Sequence, residues 1–289
     1  MTLIGVPTIK APGIASDPSR PFPIRDPLLR DVQNSGVRFL FDLAFPWCYP
    51  GGDPDGRPAP TAPVNGALVY DMSEHADGSV SIGGSDPGAI TYAGGGFDLT
   101  NSSTSGSVDA GVVAPASVLA DIWAPYNGAS QRFLVSGFVK LPTAANWDSG
   151  SGLISFVADK QYNNSASLLV LAFTRGAPGA IQFRRQTAAG VAQTVGDVVA
   201  EAEDFGTVCQ FGAWRNADSQ GLMLKSLTSG RPAKVVTTDA GVNNTVDFSA
   251  NTLVFGRPAA WPGETNGIYS QFSGVRIQRG AVENLARSG

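Results

Sequence analysis

Histidine is nearly missing from this 289-residue sequence; His75 is the single one. Any Ser-His-Asp or Cys-His mechanism would have to run through it. It sits in the polar stretch SEHADG, where the plain reading is a solvated turn residue and not a general base. Cysteine is almost as scarce. Cys48 and Cys209 lie far apart, neither belongs to a C-x-x-C pair, and both are flanked by apolar or aromatic residues. That excludes a disulfide framework and a zinc site built from several His or Cys ligands. It leaves a single disulfide open beside the plainer reading of two buried thiols.

Charge is also thin. Asp, Glu, Lys and Arg make up 15% of the chain, the net charge is −4, and no run of Lys or Arg exceeds two residues. Neither phosphate neutralisation nor a polybasic anchor has a source, so no nucleic-acid partner is expected. No apolar run approaches the ~20 residues of a membrane helix, and no membrane insertion is expected. The opening MTLIGVPTIKAPG has no basic stretch followed by a long apolar one, unlike a secretory signal.

What is abundant is glycine (35), proline (20) and short apolar runs within a 43% hydrophobic chain. This composition points to strands joined by turns around a full core. Strands are predicted at 66–72, 88–93, 131–141, 152–159, 166–174, 180–186, 207–215, 221–228, 233–238, 251–257 and 268–279. A short helical turn is predicted in AVENLARS at the end. Asn-Gly and Asp-Gly turns, with little 3.6-residue periodicity between strands, argue for an antiparallel sandwich over a βαβ fold. Trp123 and Trp214, set among apolar residues, are expected in the core.

The first 65 residues read differently. Pro7, Pro12, Pro18, Pro21, Pro23 and Pro27 deny residues 1–36 a helix or an inner strand. Then VRFLFDLAF places Val37, Phe39, Phe41, Leu43 and Phe45 on one face at period two. That face is too apolar to be left wet, so it packs on the main domain or on a partner chain. A Pro/Gly linker follows to residue 63. The expected organisation is an extended arm over 1–65, with one strand and a linker, ahead of a sandwich over 66–289.

From Gly66 onward the chain resembles the laminin-G/pentraxin-like branch of the concanavalin-A-like jelly rolls. The resemblance rests on GALVYDMSEHADGSV, GGGFDLT, FLVSGFVKLPT and GTVCQFGAWRNADSQGLMLKSL. It rests most on TLVFGRPAAWPGETNGIYSQFSGVRIQRGAVENL, where a Leu-x-x-Gly strand, a loop and a Phe-x-Gly-x-x-Arg-Ile strand close the sheet. The chain departs from that pattern at Asp204-Phe205-Gly206, where the family has an aromatic-His pair. The resemblance implies an all-β, two-sheet antiparallel jelly-roll sandwich. The order of arm, ribbon and β domain is similar to bacteriophage tail-fibre, baseplate and decoration proteins.

A glycosidase needs two facing carboxyls; the nearest candidates are Glu201 and Glu203, in what reads as an acidic loop. Calcium needs six to eight converging oxygens, and none of Asp53/Asp55, Asn163/Asn164 or Asn243/Asn244/Asp247 offers that in one loop. Gly94-Gly95-Gly96 lacks the Lys and helix of a phosphate cradle. Sugar contact needs an exposed ring and polar neighbours. Trp147 with Asp148, and Trp261 with Glu264 and Asn266, supply them, while Tyr162 and Asn163 are expected at the opposite end from Trp147.

The expectation is therefore a non-enzymatic virion structural protein, made in a host cytoplasm, with no cofactor and no metal. It would dock to other virion proteins through residues 1–65, use the 37–45 face as its assembly interface, form a homo-oligomer, and expose a sandwich to a cell-surface glycan. The alternatives are a free carbohydrate-binding module and a polysaccharide hydrolase.

Overall fold

In the computed structural model, the described residues are 36–45, 48–49, 63–82, 90–99, 110–123, 131–144, 153–159, 169–174, 179–189, 191–248, 251–257 and 275–287. They form two antiparallel eight-stranded sheets, as the jelly-roll resemblance implies, and one short helix. In chain order the elements are β1 (Val37–Asp42), β2 (Leu68–Val69), β3 (Gly78–Ile82), β4 (Ile90–Ala93), β5 (Gly96–Leu99), β6 (Ala110–Val113), α1 (Ala116–Trp123), β7 (Phe133–Lys140) and β8 (Leu153–Asp159). They continue as β9 (Val170–Thr174), β10 (Ala180–Ala188), β11 (Val191–Val199), β12 (Val208–Arg215), β13 (Ser219–Ser226), β14 (Lys234–Asp239), β15 (Leu253–Arg257) and β16 (Val275–Asn284).

The first sheet runs β14-β13-β12-β7-β16-β5-β4, with β1 also on β16; the second runs β11-β10-β9-β8-β15-β6-β3-β2. Alternation sets the faces. In β7, Phe133, Val135, Gly137 and Val139 point inward while Leu134, Ser136, Phe138 and Lys140 point out. Aromatic pairs bridge the two layers: Phe41 meets Phe255 edge-on at 5.0 Å, Phe211 meets Phe156 at 5.2 Å, and Phe133 meets Phe183 at 6.4 Å. Such pairs add about 0.5–1.5 kcal/mol each beyond area burial.

The phenylalanine ribbon corrects the expected arm. β1 is the eighth strand of the first sheet, antiparallel to β16 with Phe39 opposite Val282 and Phe41 opposite Gly280. Phe39, Phe41 and Leu43 are fully buried in the chain's own core, with Phe45 packed partly against it and Val37 half-buried. These side chains are not free to serve as an assembly interface, and the sandwich takes in residues from β1 onward. The physical reason lies in β16. On the side away from β7, β5 covers Val275–Ile277 and β1 covers Arg279–Glu283, and the pairing of β16 with β7 shifts register at the same junction, between Ile277 and Arg279. The core makes room with glycine: a Cβ on Gly280 would lie 2.5 Å from Phe41 Cε1 and 2.6 Å from Phe255 Cε1. The outer edge of β1 is covered too, since Met72 N donates to Leu40 O (2.8 Å) and Leu40 N to Asp71 Oδ1 (2.8 Å).

Three further differences follow. Helix α1 was not anticipated; it starts behind Pro115, buries Val118, Leu119 and Ile122, and packs on β15 and β16. The final segment continues β16 to Asn284 before turning, in place of a helical turn. Trp214 is half-buried on the outer face of β12, seated over Gly221, whereas Trp123 packs against the core and donates its indole N–H to Val246 O (2.6 Å).

Candidate functional site

The sandwich has two chemically distinct ends, set by strand register. β16, ten residues and roughly 30 Å long, runs between them. At its start, Arg276 pairs with Lys140, Lys140 also pairs with Val208, and Val275 pairs with Leu99. The segment after β7 and the segment before β16 therefore attach at this end, and these carry Trp147/Asp148 and Trp261/Glu264/Asn266. All five residues lie outside the described residues. Tyr162 and Asn163 also lie outside them, between the end of β8 and the start of β9, which sit at the other end of the second sheet. At the far end of β16, Asn284 N donates to Gly36 O (2.7 Å), so the Pro-rich leader joins the body opposite the tryptophan-bearing segments.

The base of the Trp147 segment is pinned. Leu141 N donates to Thr207 O (3.0 Å) and Gly206 N to Pro142 O (2.8 Å). Beside it stands an ion cluster from the β11–β12 connection and β14. Lys234 Nζ bonds Asp204 Oδ2 at 2.5 Å and Glu201 Oε2 at 3.1 Å, while Arg231 Nη1 bonds Glu201 Oε2 at 2.9 Å and also pairs with Glu203. For Lys234, burial opposes the charge, but the bonds to Asp204 and Glu201 outweigh it and its pKa is raised. The hydrogen bond from Lys234 holds Glu201 below the ordinary carboxylate value. That is the opposite of the shift a general acid needs; Glu201 here ties the β11–β12 connection to Lys234 and Arg231.

At the leader end, His75 belongs to a chain of polar groups. Asp71, almost fully buried, accepts from Leu40 N, Ser73 N, His75 N and the Ser73 hydroxyl at 2.7–2.9 Å. Arg38 Nη1 lies 2.9 Å from His75 Nε2, and Ser73 Oγ lies 3.1 Å from His75 Nδ1. A guanidinium can only donate, so Nε2 accepts and the ring proton sits on Nδ1, facing Ser73. No imidazole lone pair faces the hydroxyl, and the three residues do not make an activated nucleophile. Arg38 Nε also donates to Asp121 Oδ2 (2.9 Å), which accepts from Asn284 Nδ2 (2.8 Å), while Asp121 Oδ1 pairs with Arg287 (2.7 Å). This ties β1, α1 and the chain end together where the leader departs.

Between the sheets near that end lie two buried arginines that sequence reasoning passed over. Arg185 donates to Gln220 Oε1 (3.0 Å), Gln186 O and Ala240 O, and Arg215 donates to Ala240 O (2.9 Å), Gln131 O and Gly241 O. They staple the turn after β14. Burial, then the nearby charge of Arg215, pushes Arg185 down to about 10; burial and Arg132 lower Arg215 as well. The available signal was an arginine pair inside AIQFRRQTA, in a chain otherwise sparing with charge.

Cys48 and Cys209 are free, buried thiols. Among the described residues no group of three or more His, Cys, Asp or Glu gathers as a metal site, and no helix is long and apolar enough to cross a membrane.

No family model and no curated protein matches this chain. Among solved structures it is similar to a Trypanosoma rangeli sialidase in complex with sialic acid (15% identity, TM-score 0.41), of which it spans 33% while 82% of this chain is covered. It is also similar to the CBM2 module of Lactobacillus casei BL23 phage J-1 evolved Dit (13% identity, 68% of this chain and 79% of that one, TM-score 0.41). A third is lectin I-B4 from Griffonia simplicifolia (12% identity, 71% and 92%, TM-score 0.42). At these identities and TM-scores none of them assigns a role to a residue of this chain.

Proposed function

We propose that this chain is a virion structural protein that docks through its Pro-rich leader and presents a carbohydrate-binding β-sandwich outward, without catalysis of its own. The observation that supports this is polarity: the leader joins the body at Gly36, beside Asn284, whereas the segments with Trp147 and Trp261 attach at the other end, beside Lys140 and Arg276. A body roughly 30 Å long thus separates the attachment point from the recognition loops. With the ribbon inside the core, docking falls to residues before Gly36. Proline there lowers the ordering entropy lost on binding.

Two variants test the two halves. Removing residues 1–35 is expected to abolish incorporation into particles while glycan-array binding persists. Trp147→Ala with Trp261→Ala is expected to do the reverse, weakening glycan binding by about ten-fold or more, as loss of a stacking anchor does. Incorporation that survives loss of the leader would sink the virion reading and leave a free carbohydrate-binding module. Glycan cleavage abolished by Glu201→Gln with Glu203→Gln would instead favour a hydrolase.

A further inference from the structure

Strand alternation gives the first sheet an outer face whose chemistry the core does not use. Register aligns side chains there in rows across β12, β7 and β16. Gly212, Ser136 and Ala281 form the middle row. Trp214, Leu134 and Glu283 form the row on one side, and Gln210, Phe138 and Arg279 the row on the other. The flanking rows lie roughly 13 Å apart along the strands, so the middle row is the floor of a trough. That floor is open at Gly212, where an added Cβ would meet only Leu134 Cδ1 and Met223 Cε, each at an ordinary 3.7 Å.

Both rims carry aromatic rings. The Trp214 indole reaches over Gly221, where an added Cβ would lie 2.5 Å from its Cζ2, and the side chain is only half-buried. Phe138 is half-buried too, with the Arg279 guanidinium 6.0 Å from its ring centre. Half-buried rings seated on a sheet suit the apolar face of a pyranose, given polar groups beside them for its hydroxyls. Those groups are present and unused. Among the described residues, the Ser136 hydroxyl, the Gln210 amide, the Trp214 indole N–H and the Lys140 and Lys225 ammonium groups have no hydrogen bond or ion pair.

The cations select the kind of sugar. Lys225 stands beside Gln210 on β13, and Lys140 follows Phe138 on the same face of β7. Arg279 adds a third charge, shared with Asp42 at 3.7 Å, while Glu283 stands on the opposite rim. In a chain of net charge −4, two lysines without partners along one rim favour an anionic ligand. We infer that this trough binds a carboxylated polysaccharide, with sugar rings against Trp214 and Phe138 and carboxylates at Lys140 and Lys225. The inference rests on the carbohydrate-binding half of the reading above and not on its virion half. It adds a second surface to the segments with Trp147 and Trp261 and fixes the charge of the ligand.

The test is binding of the full chain to polygalacturonate, alginate, hyaluronan and polysialic acid, each beside its carboxyl-reduced form. At least one acid is expected to bind about ten-fold or more better than its reduced form, and to bind less well as salt rises. Gly212→Leu fills the trough without removing any group that would touch the sugar, and is expected to weaken binding about ten-fold or more, as is Trp214→Ala. Lys140→Gln with Lys225→Gln is expected to erase the preference for the acid. The unfolding temperature should stay unchanged in the lysine variant, because neither ammonium group has a partner to lose. Binding lost with Trp147→Ala and Trp261→Ala but kept in Gly212→Leu and the lysine variant overturns this inference and leaves the carbohydrate reading standing. Binding to neutral glycans alone does the same, whereas a chain that binds no glycan overturns both. A native dimer that Gly212→Leu converts to monomer would put a second copy on this face and also overturn the inference.

Discussion

Replacing Phe41 with alanine is expected to destabilise the isolated chain by about 3–5 kcal/mol, and by the same amount at every protein concentration. The ring is fully buried, meets Phe255 edge-on at 5.0 Å and Phe39 at 5.6 Å, and fills the space left by Gly280. Removing it leaves a cavity where the two sheets meet, and neither rigid ring beside it can collapse into the gap. Denaturant unfolding of a dilute sample measures the loss. A ribbon that worked as an interface between chains would behave otherwise: the variant would fold normally as a monomer and lose stability only where association contributes. Phe39→Ala should fall in the same range, because its ring sits against Gly78, where a Cβ would lie 2.6 Å from Phe39 Cζ.

The second large effect lies at alkaline pH. Burial pushes the Cys48 thiol from 9.0 up to about 12 and the Cys209 thiol up to about 11. A proton held more tightly in the folded chain than in the unfolded one stabilises the fold in full below pH 9. That contribution is lost as pH rises through the folded value. For Cys48 the interval is three pH units at about 1.4 kcal/mol each, or about 4 kcal/mol. Arg185, pushed down to about 10, acts in the opposite sense above that pH and offsets part of the loss. The native chain is therefore expected to lose stability steadily from pH 9 to 12. Cys48→Ser should blunt this loss, because a serine hydroxyl can still donate to Tyr70 O, as the thiol does at 3.1 Å, without ionising in that range. Unfolding temperatures at pH 7 and pH 11 for both proteins decide the matter; equal alkaline losses would mean the buried thiol is not the titrating group.

Much of the sandwich was legible where strands carry large apolar residues at period two. β7, β12 and β13 fall where FLVSGFVK, VCQFGAWR and SQGLMLKS suggest. β3, β6 and β11 were not legible. GSVSI, AGVV and VAQTVGDVV are small or polar, and their extended state is decided by neighbouring strands. Helix α1, at eight residues, is too short for its period to stand out. The ribbon is the instructive case. Its alternation announced a buried face but not which sheet would receive it. The receiving strand lies some 240 residues further on, and β16 leaves room for it because β5 pairs only with Val275–Ile277. The proline-rich linker behind the ribbon suggested an arm, although a linker is equally compatible with a strand that packs on its own body. At the candidate site, the aromatic loops could be named from composition alone. The clamp of Asp204, Glu201 and Lys234 joins residues about thirty apart through a side-chain geometry that no local pattern encodes.

The most direct measurement compares two shortened chains, one starting at Gly36 and one at Gly66, by thermal unfolding. The chain from Gly36 keeps β1 and its pairing with β16, and should unfold cooperatively at the temperature of the full chain. The chain from Gly66 lacks the strand that covers Arg279–Glu283 and the rings that fill the space beside Gly280, and should lose its cooperative transition. If the chain from Gly66 proves as stable as the full chain, the ribbon is not part of the body and the account fails.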